Sequence, residues 1–133
     1  MPDVEAVKPN RREKILVAED DATSRKMIEM VLQRMNISGV VTVNDGQEAW
    51  KAIEASPARY HLIIADWNMP LMSGIELLKK IRNEGLRTPF IMITGNNSLD
   101  AAITAADTGA TAFLPKPYTP DQLARRVRGV LSD

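Results

Sequence analysis

Cysteine is absent from the 133-residue chain, which excludes disulfides, thiolate-ligated zinc and thiol nucleophiles. That absence suits a reducing compartment, with the cytoplasm as the default. Histidine occurs once, at His61. It begins an extended apolar run, about five residues and so ~16 Å from the acid that follows, too far for a histidine base, histidine phosphotransfer or a serine triad at that acid. Charge of one sign is lacking too, because 17 lysines and arginines balance 17 aspartates and glutamates. No global field draws such a chain to nucleic acid or to anionic lipid. No apolar stretch approaches the ~20 residues of a membrane span, and Met1 to Arg12 lacks the hydrophobic segment of a secretory signal. Neither nucleic acid nor membrane is therefore an expected partner. This length favours one domain, whose single core buries roughly two thirds of the surface of the unfolded chain.

What is present is alternation. Residues 1–12, with Pro2, Pro9, Asn10, Arg11 and Arg12, show no apolar period and read as a flexible tail, leaving residues 13–133 as the domain. From Lys14 onward, five short apolar runs alternate with amphipathic stretches, the pattern of a mostly parallel sheet covered on both faces. Strand one is Lys14–Ala18, followed by a helix over Ala22–Met35 in which Met27, Ile28, Val31, Leu32 and Met35 share one face. Strand two is Gly39–Val43. Asp45-Gly46 then turns into a helix carrying Ala49, Trp50 and Ile53, which stops near Ser56-Pro57.

Strand three is His61–Ala65. Ser73 and Glu76 form a capping box for a third helix with Ile75, Leu78 and Ile81 inward. Strand four can begin at Pro89, since a first strand residue often needs no ladder donor, and runs through Phe90–Ile93. Ser98 caps a fourth helix, rich in alanine and threonine, whose Leu99, Ala102, Ile103 and Ala106 are expected to face inward until Gly109. Strand five is Thr111–Leu114. Thr119-Pro120-Asp121-Gln122 opens the last helix, which carries Leu123, Val127, Val130 and Leu131.

The strand ends carry the chemistry. Strand one stops at Glu19-Asp20, strand three at Asp66, strand four at Thr94, and strand five just before Lys116. Open parallel sheets keep their ligand sites at this edge. Glu19, Asp20 and Asp66 converge there if strands one and three are neighbours, and carboxylates so close either raise a pKa or recruit a divalent cation. An all-oxygen set suits magnesium, which takes one or two carboxylates together with waters and phosphate oxygens. Lys116 and Thr94 supply a cation and a hydroxyl for phosphoryl oxygens. Asp66, alone at a strand end beside a turn, is the best candidate for a nucleophilic carboxylate that forms an acyl phosphate. Each feature has a plainer reading: an acidic pair after a strand is commonly a solvated turn, Thr94 is strand filler and Asp21 is a simple helix cap. Lys116 is less easily dismissed, since Pro115 and Pro117 restrict its backbone.

Together these residues make the chain resemble the receiver domains of bacterial two-component response regulators, nearest in pattern to the single-domain chemotaxis regulators. The resemblance runs from Lys14 to Leu131. It rests on Val17-Ala-Glu-Asp20, on Asp66-Trp-Asn-Met-Pro70 with Met72-Ser-Gly74, on Thr94-Gly95 and on Lys116-Pro117, in register at four strand ends.

The resemblance implies a doubly wound, flavodoxin-like fold with five parallel strands in the order 2-1-3-4-5 and five helices. It also implies Asp66 as phosphoacceptor, Asp20, Asp66 and the Asn68 carbonyl as magnesium ligands, and Glu19 acting through a bound water. Thr94 and Lys116 would bind the phosphoryl group, with a cis bond before Pro117 aiming Lys116 inward. Thr94 and Phe113 would form the switch, although phenylalanine replaces the tyrosine usual in chemotaxis regulators. The implied partners are a sensor histidine kinase or histidine phosphotransfer protein, and a target docking on helix four, strand five and helix five. Arg125, Arg126 and Arg128 lie on that surface or form a plain solvated face. Asn68 and Asn96 occupy positions that tune acyl-phosphate lifetime in the family.

These features and the resemblance imply a magnesium-dependent phosphorylation switch rather than an enzyme. No output domain is expected after Asp133. A phosphohydrolase would want an acid two residues after Asp66, where Asn68 stands. Strand one is followed by neither a dinucleotide-binding glycine turn nor a phosphate-cradling loop. The alternative is a receiver-like interaction module that works without phosphorylation, though such a module would be expected to have lost Asp66, Lys116 or the acidic pair.

Overall fold

Parallel strands need long crossovers, and each crossover here is a helix. The computed structural model describes residues 11–131. In chain order these form β1 (Arg11–Ala18), α1 (Ala22–Arg34), β2 (Ile37–Val43), α2 (Gly46–Ala55), β3 (Leu62–Asp66), α3 (Gly74–Asn83), β4 (Phe90–Thr94), α4 (Leu99–Thr108), β5 (Ala112–Pro115) and α5 (Pro120–Leu131). The five strands pair in parallel in the order β2-β1-β3-β4-β5. This is the doubly wound, flavodoxin-like arrangement expected. Among the described residues, no helix is long and apolar enough to cross a membrane.

Two apolar layers sandwich the sheet. On one face Ile15, Val17, Ile64, Ile91 and Ile93 pack with Ile28, Leu32, Leu123 and Val127 from α1 and α5. On the other Leu16, Ile63, Ala65, Phe90 and Met92 pack with Ile53, Leu77, Leu78, Ile81 and Ala105 from α2, α3 and α4. Every residue of β3 and β4 is buried, which is why those strands read as unbroken apolar runs rather than alternating ones.

The helix starts follow the sequence signals. Asp21, Asp45 and Ser98 accept from the backbone N–H groups of Ser24, Glu48 and Ala101. Ser73 with Glu76 and Thr119 with Gln122 are reciprocal capping boxes. Gly109 ends α4 in the left-handed region at φ 111, where a side chain would be strained.

Several boundaries and one face differ from expectation. β1 begins at Arg11, which pairs with Ile37 ahead of a register shift, so Arg11 and Arg12 are strand rather than tail. The rest of the expected tail, residues 1–10, lies outside the described residues. β2 begins at Ile37 rather than Gly39, and β3 includes Asp66 and excludes His61. In α3, Leu77 is fully buried and Ile75 only half-buried.

The inward face of α4 is Ala101 and Ala105, whereas Leu99 and Ile103 are 74% and 47% exposed and Ala106 is exposed as well. Small side chains let this helix lie close on the sheet, and close approach turns its bulky residues to solvent. Thr104 and Thr108 also donate their hydroxyls to carbonyls one turn back, at 2.9 and 2.6 Å, a habit that loosens helices.

This assignment of faces predicts opposite outcomes for two isoleucines. Ile64→Ala removes a fully buried side chain and should cost about 2–5 kcal/mol in urea unfolding. Ile103→Ala should stay within about 0.5 kcal/mol of the parent. Equal losses would mean that α4 buries its bulky face.

Candidate functional site

Asp66 is the last residue of β3, paired with Ile93 of β4, and its residue surface is 6% exposed. Its position depends on the turn into α3. The Gly74 N–H donates to the Trp67 carbonyl at 2.8 Å, and a Cβ on Gly74 would sit 2.4 Å from the Asp66 carbonyl oxygen. Only glycine allows that approach. Between them Leu71 sits at φ 69 in a three-residue turn closed by the Met72 N–H on the Pro70 carbonyl, a rare conformation for a bulky residue. Its side chain is 77% exposed at the rim of the site.

The topology brings the strand ends together. β1 and β3 are neighbours, so Glu19, Asp20 and Asp66 each offer a carboxylate oxygen within 4.8 Å of the others. Lys116 follows β5 between Pro115 and a cis-linked Pro117. Its Nζ donates to Asp66 Oδ2 at 2.7 Å and reaches Glu19 Oε1 at 3.5 Å. Asp66 Oδ1 also accepts from the Asn68 N–H at 3.2 Å.

Thr94 ends β4, is buried, and pairs with Pro115. Its Oγ1 accepts from the Asn96 N–H at 3.0 Å, which leaves the hydroxyl proton free to be donated. Phe113 pairs with Met92 and is half-buried against the α2–α3–α4 layer. His61, at the opposite edge of the sheet, accepts from the Lys14 N–H through Nδ1 at 3.0 Å, so it takes no part here.

The electrostatics follow from crowding. Burial pushes the Glu19 carboxyl up to about 7, with the Asp66 charge adding to the rise and the Asp21 N–H and Lys116 opposing it. Burial alone would lower Lys116, but its bond to Asp66 and the Asp66 and Glu19 charges raise it overall. Three acids share one ammonium group among them. The oxygen donors Glu19, Asp20 and Asp66 fit a hard divalent cation, which would relieve that excess of negative charge.

Some contributors were not apparent from the sequence. Arg25 Nη1 donates to the Glu19 carbonyl and to Asn44 Oδ1, both at 2.9 Å, tying α1 to the acidic loop. Gly74 acts through its missing side chain. Tyr118 follows Lys116-Pro117 directly, and its hydroxyl is buried with no hydrogen-bond partner among the described residues. Burial, then the Glu19 charge, pushes that phenol up to about 12. Its place beside the Lys-Pro pair was the available signal.

A five-stranded doubly wound sheet with acids, threonine and lysine at four successive strand ends defines a receiver domain. The profile of the response regulator receiver domain matches residues 15–128, and the chain belongs to that family. Among its curated relatives, the chemotaxis protein CheY1 of Helicobacter pylori is 37% identical over 120 residues, covering 89% of this chain and 96% of that one. The CheY homologue of Campylobacter jejuni is 36% identical over 89% of this chain and 92% of its own length. Among solved structures, the Francisella response regulator 1452 receiver domain superposes with a TM-score of 0.85 at 31% identity, over 91% of this chain and 98% of that one. Vibrio cholerae CheY4 gives 0.80 at 33% identity, over 90% and 99%. The chain is thus similar to CheY-type receivers of two-component signalling.

The raised Glu19 pKa has a definite sign. In the metal-free protein the folded state holds a proton on Glu19 up to about pH 7, whereas the unfolded chain releases it near 4.5. Stability should therefore fall as pH rises between those values. Urea midpoints of the metal-free protein across that window should decline, and Glu19→Gln should flatten the decline. A slope unchanged by Glu19→Gln would assign the titration to another group.

Proposed function

We propose that this chain is a single-domain response regulator whose Asp66 accepts a phosphoryl group from a histidine kinase or histidine phosphotransfer protein. The reaction would depend on magnesium and take place in the cytoplasm. What carries this reading is the ammonium of Lys116, hydrogen-bonded to the buried Asp66 carboxylate with the Thr94 hydroxyl one strand away. In the reaction an Asp66 carboxylate oxygen bonds to phosphorus while the phosphorus–nitrogen bond of the donor breaks, and the donor imidazole keeps that bonding pair. Water later attacks the acyl phosphate, returning Asp66 and inorganic phosphate.

Lys116 holds Asp66 in place before transfer and afterwards offers its charge to a phosphoryl oxygen. Thr94 donates its free hydroxyl to another oxygen of the same group. Asp20 and Asp66, with the Asn68 carbonyl and with Glu19 through a water, would hold a magnesium ion that offsets the charge of the phosphoryl oxygens.

Signalling follows from the move that Thr94 makes toward the new group. Its loop leads into α4, and Phe113 lies next to β4 on β5, so both belong to the switch. Phe113 has no hydroxyl with which to contact a partner, so recognition rests on the surface of α4, β5 and α5. Leu99 and Ile103 are the large exposed apolar residues there among the described residues. Arg125 is tied to Asp121 in a wet pair at 3.0 Å, which contributes little. Asn68 and Asn96, both exposed, flank the phosphoryl position and set how readily water reaches it.

Intact mass after incubation with acetyl phosphate tests the chemistry. The parent should gain one phosphoryl group in magnesium and none without it, and Asp66→Asn should gain none. No gain by the parent under any condition would favour an interaction module that works without phosphorylation. Magnesium should also change Trp67 fluorescence in a Trp50→Phe background, because Trp67 adjoins Asp66 whereas Trp50 lies on α2 with Lys80 over its ring. A flat titration there, with no heat of binding, would argue against the metal site.

A further inference from the structure

At the edge of the sheet opposite Asp66, the ends of α3 and α4 and the starts of β4 and β5 form an open cavity of about 440 Å³. It is lined by Arg82, Gly85, Leu86, Arg87, Gly109 and Thr111. That volume lies within the range of small-molecule sites. Two arginines line it and no acid does. Arg82 is fixed in place: Nε and Nη2 donate to the Gly109 carbonyl at 3.1 and 2.9 Å, and Nη1 donates to the Leu86 carbonyl at 2.9 Å. All of its partners are neutral carbonyls, and its remaining N–H donors have no partner among the described residues.

Arg87 is exposed and has neither a hydrogen bond nor an ion pair among the described residues. Thr111 Oγ1 accepts from the Phe90 N–H at 3.0 Å, so its hydroxyl proton is available to a ligand. Gly85 and Gly109 leave the walls without side chains.

Burial and the neighbouring Arg87 charge both lower the Arg82 pKa. Two like charges therefore face one concavity with no carboxylate to balance them, which is unfavourable for the half-buried Arg82 guanidinium. The carbonyls account for the orientation of Arg82 but not for Arg87, and they supply no counter-charge. A rigid guanidinium fork, a second cation and a hydroxyl donor match the oxygens of a phosphate group.

We propose that this cavity is a binding site for a small phosphate-bearing anion, with Arg82 as its fixed donor and Arg87 as its mobile one. The site is independent of Asp66 chemistry and shares with it β4 and α4, each of which has one end at the cavity and the other near Thr94.

The test is amide chemical-shift titration of the Asp66→Asn protein, so that the acceptor site cannot take up phosphoryl, with pyrophosphate and, separately, a nucleoside diphosphate. Saturable shifts should centre on Arg87, Gly109 and Thr111. Arg87→Ala should weaken binding by at least about tenfold, the loss of one charge-assisted contact. Tighter binding of the nucleotide would assign the rest of the cavity to a base and sugar; equal binding would assign it to the phosphates alone. Absence of saturation, shifts reproduced by chloride at the same ionic strength, or equal affinity in a folded Arg87→Ala protein would each overturn the proposal.

Discussion

All five strands run in one direction, and the rest of the molecule follows from that constraint. A parallel pair cannot be closed by a tight turn, so every strand end hands the chain to a loop and then to a helix. Those loops gather at the carboxyl edge of the sheet, where the order β2-β1-β3-β4-β5 brings Glu19 and Asp20 beside Asp66, then Thr94, then Lys116. The residues that meet there are separated in sequence by as many as 97 positions. The opposite edge collects the helix ends and strand starts, among them the arginine-lined cavity.

Charge at the carboxyl edge is poised rather than balanced. Three carboxylates gather near one lysine, and the Lys116–Asp66 contact at 2.7 Å holds the Asp66 carboxylate while Glu19 is pushed toward its neutral form. Glu19, Asp20 and Asp66 outnumber that lysine, an excess of acid that a hard cation would relieve, and Thr94 lies at the end of the neighbouring strand. Thr94 leads into α4, the helix anchored by alanines alone and loosened by its own threonine hydroxyls. The site and a weakly packed element are therefore joined through one short loop. Low burial is where local rearrangement costs least.

Periodicity and caps made most of the fold legible in the sequence. Asp21, Asp45, Ser73, Ser98 and Thr119 begin helices as their side chains foretell, because capping is a local hydrogen bond that needs no tertiary partner. The face of α4 was not legible. Ranking by hydrophobicity put Leu99 and Ile103 inside, yet the sheet accepts Ala101 and Ala105, because how closely a helix approaches a sheet is decided by the surface it meets. The earlier start of β1, at Arg11 rather than Lys14, has a similar cause, since Arg11 becomes strand only by pairing with Ile37. Tyr118 and Arg25 were missed because nothing local marks a side chain whose importance comes from a neighbour on another element.

By itself the sequence determined the alternation of strands and helices, the helix starts and the identities of Asp66, Asp20, Glu19, Thr94 and Lys116. Each of these is written in local pattern and in residue chemistry. Only the tertiary structure decided which faces are buried, that Gly74 must lack a side chain against the Asp66 carbonyl, and that Lys116 bonds Asp66 while reaching Glu19. It alone placed Arg82 and Arg87 around a cavity without an acid. These are relations between residues far apart in the chain, and distance, packing and electric field exist between them only once the chain has folded.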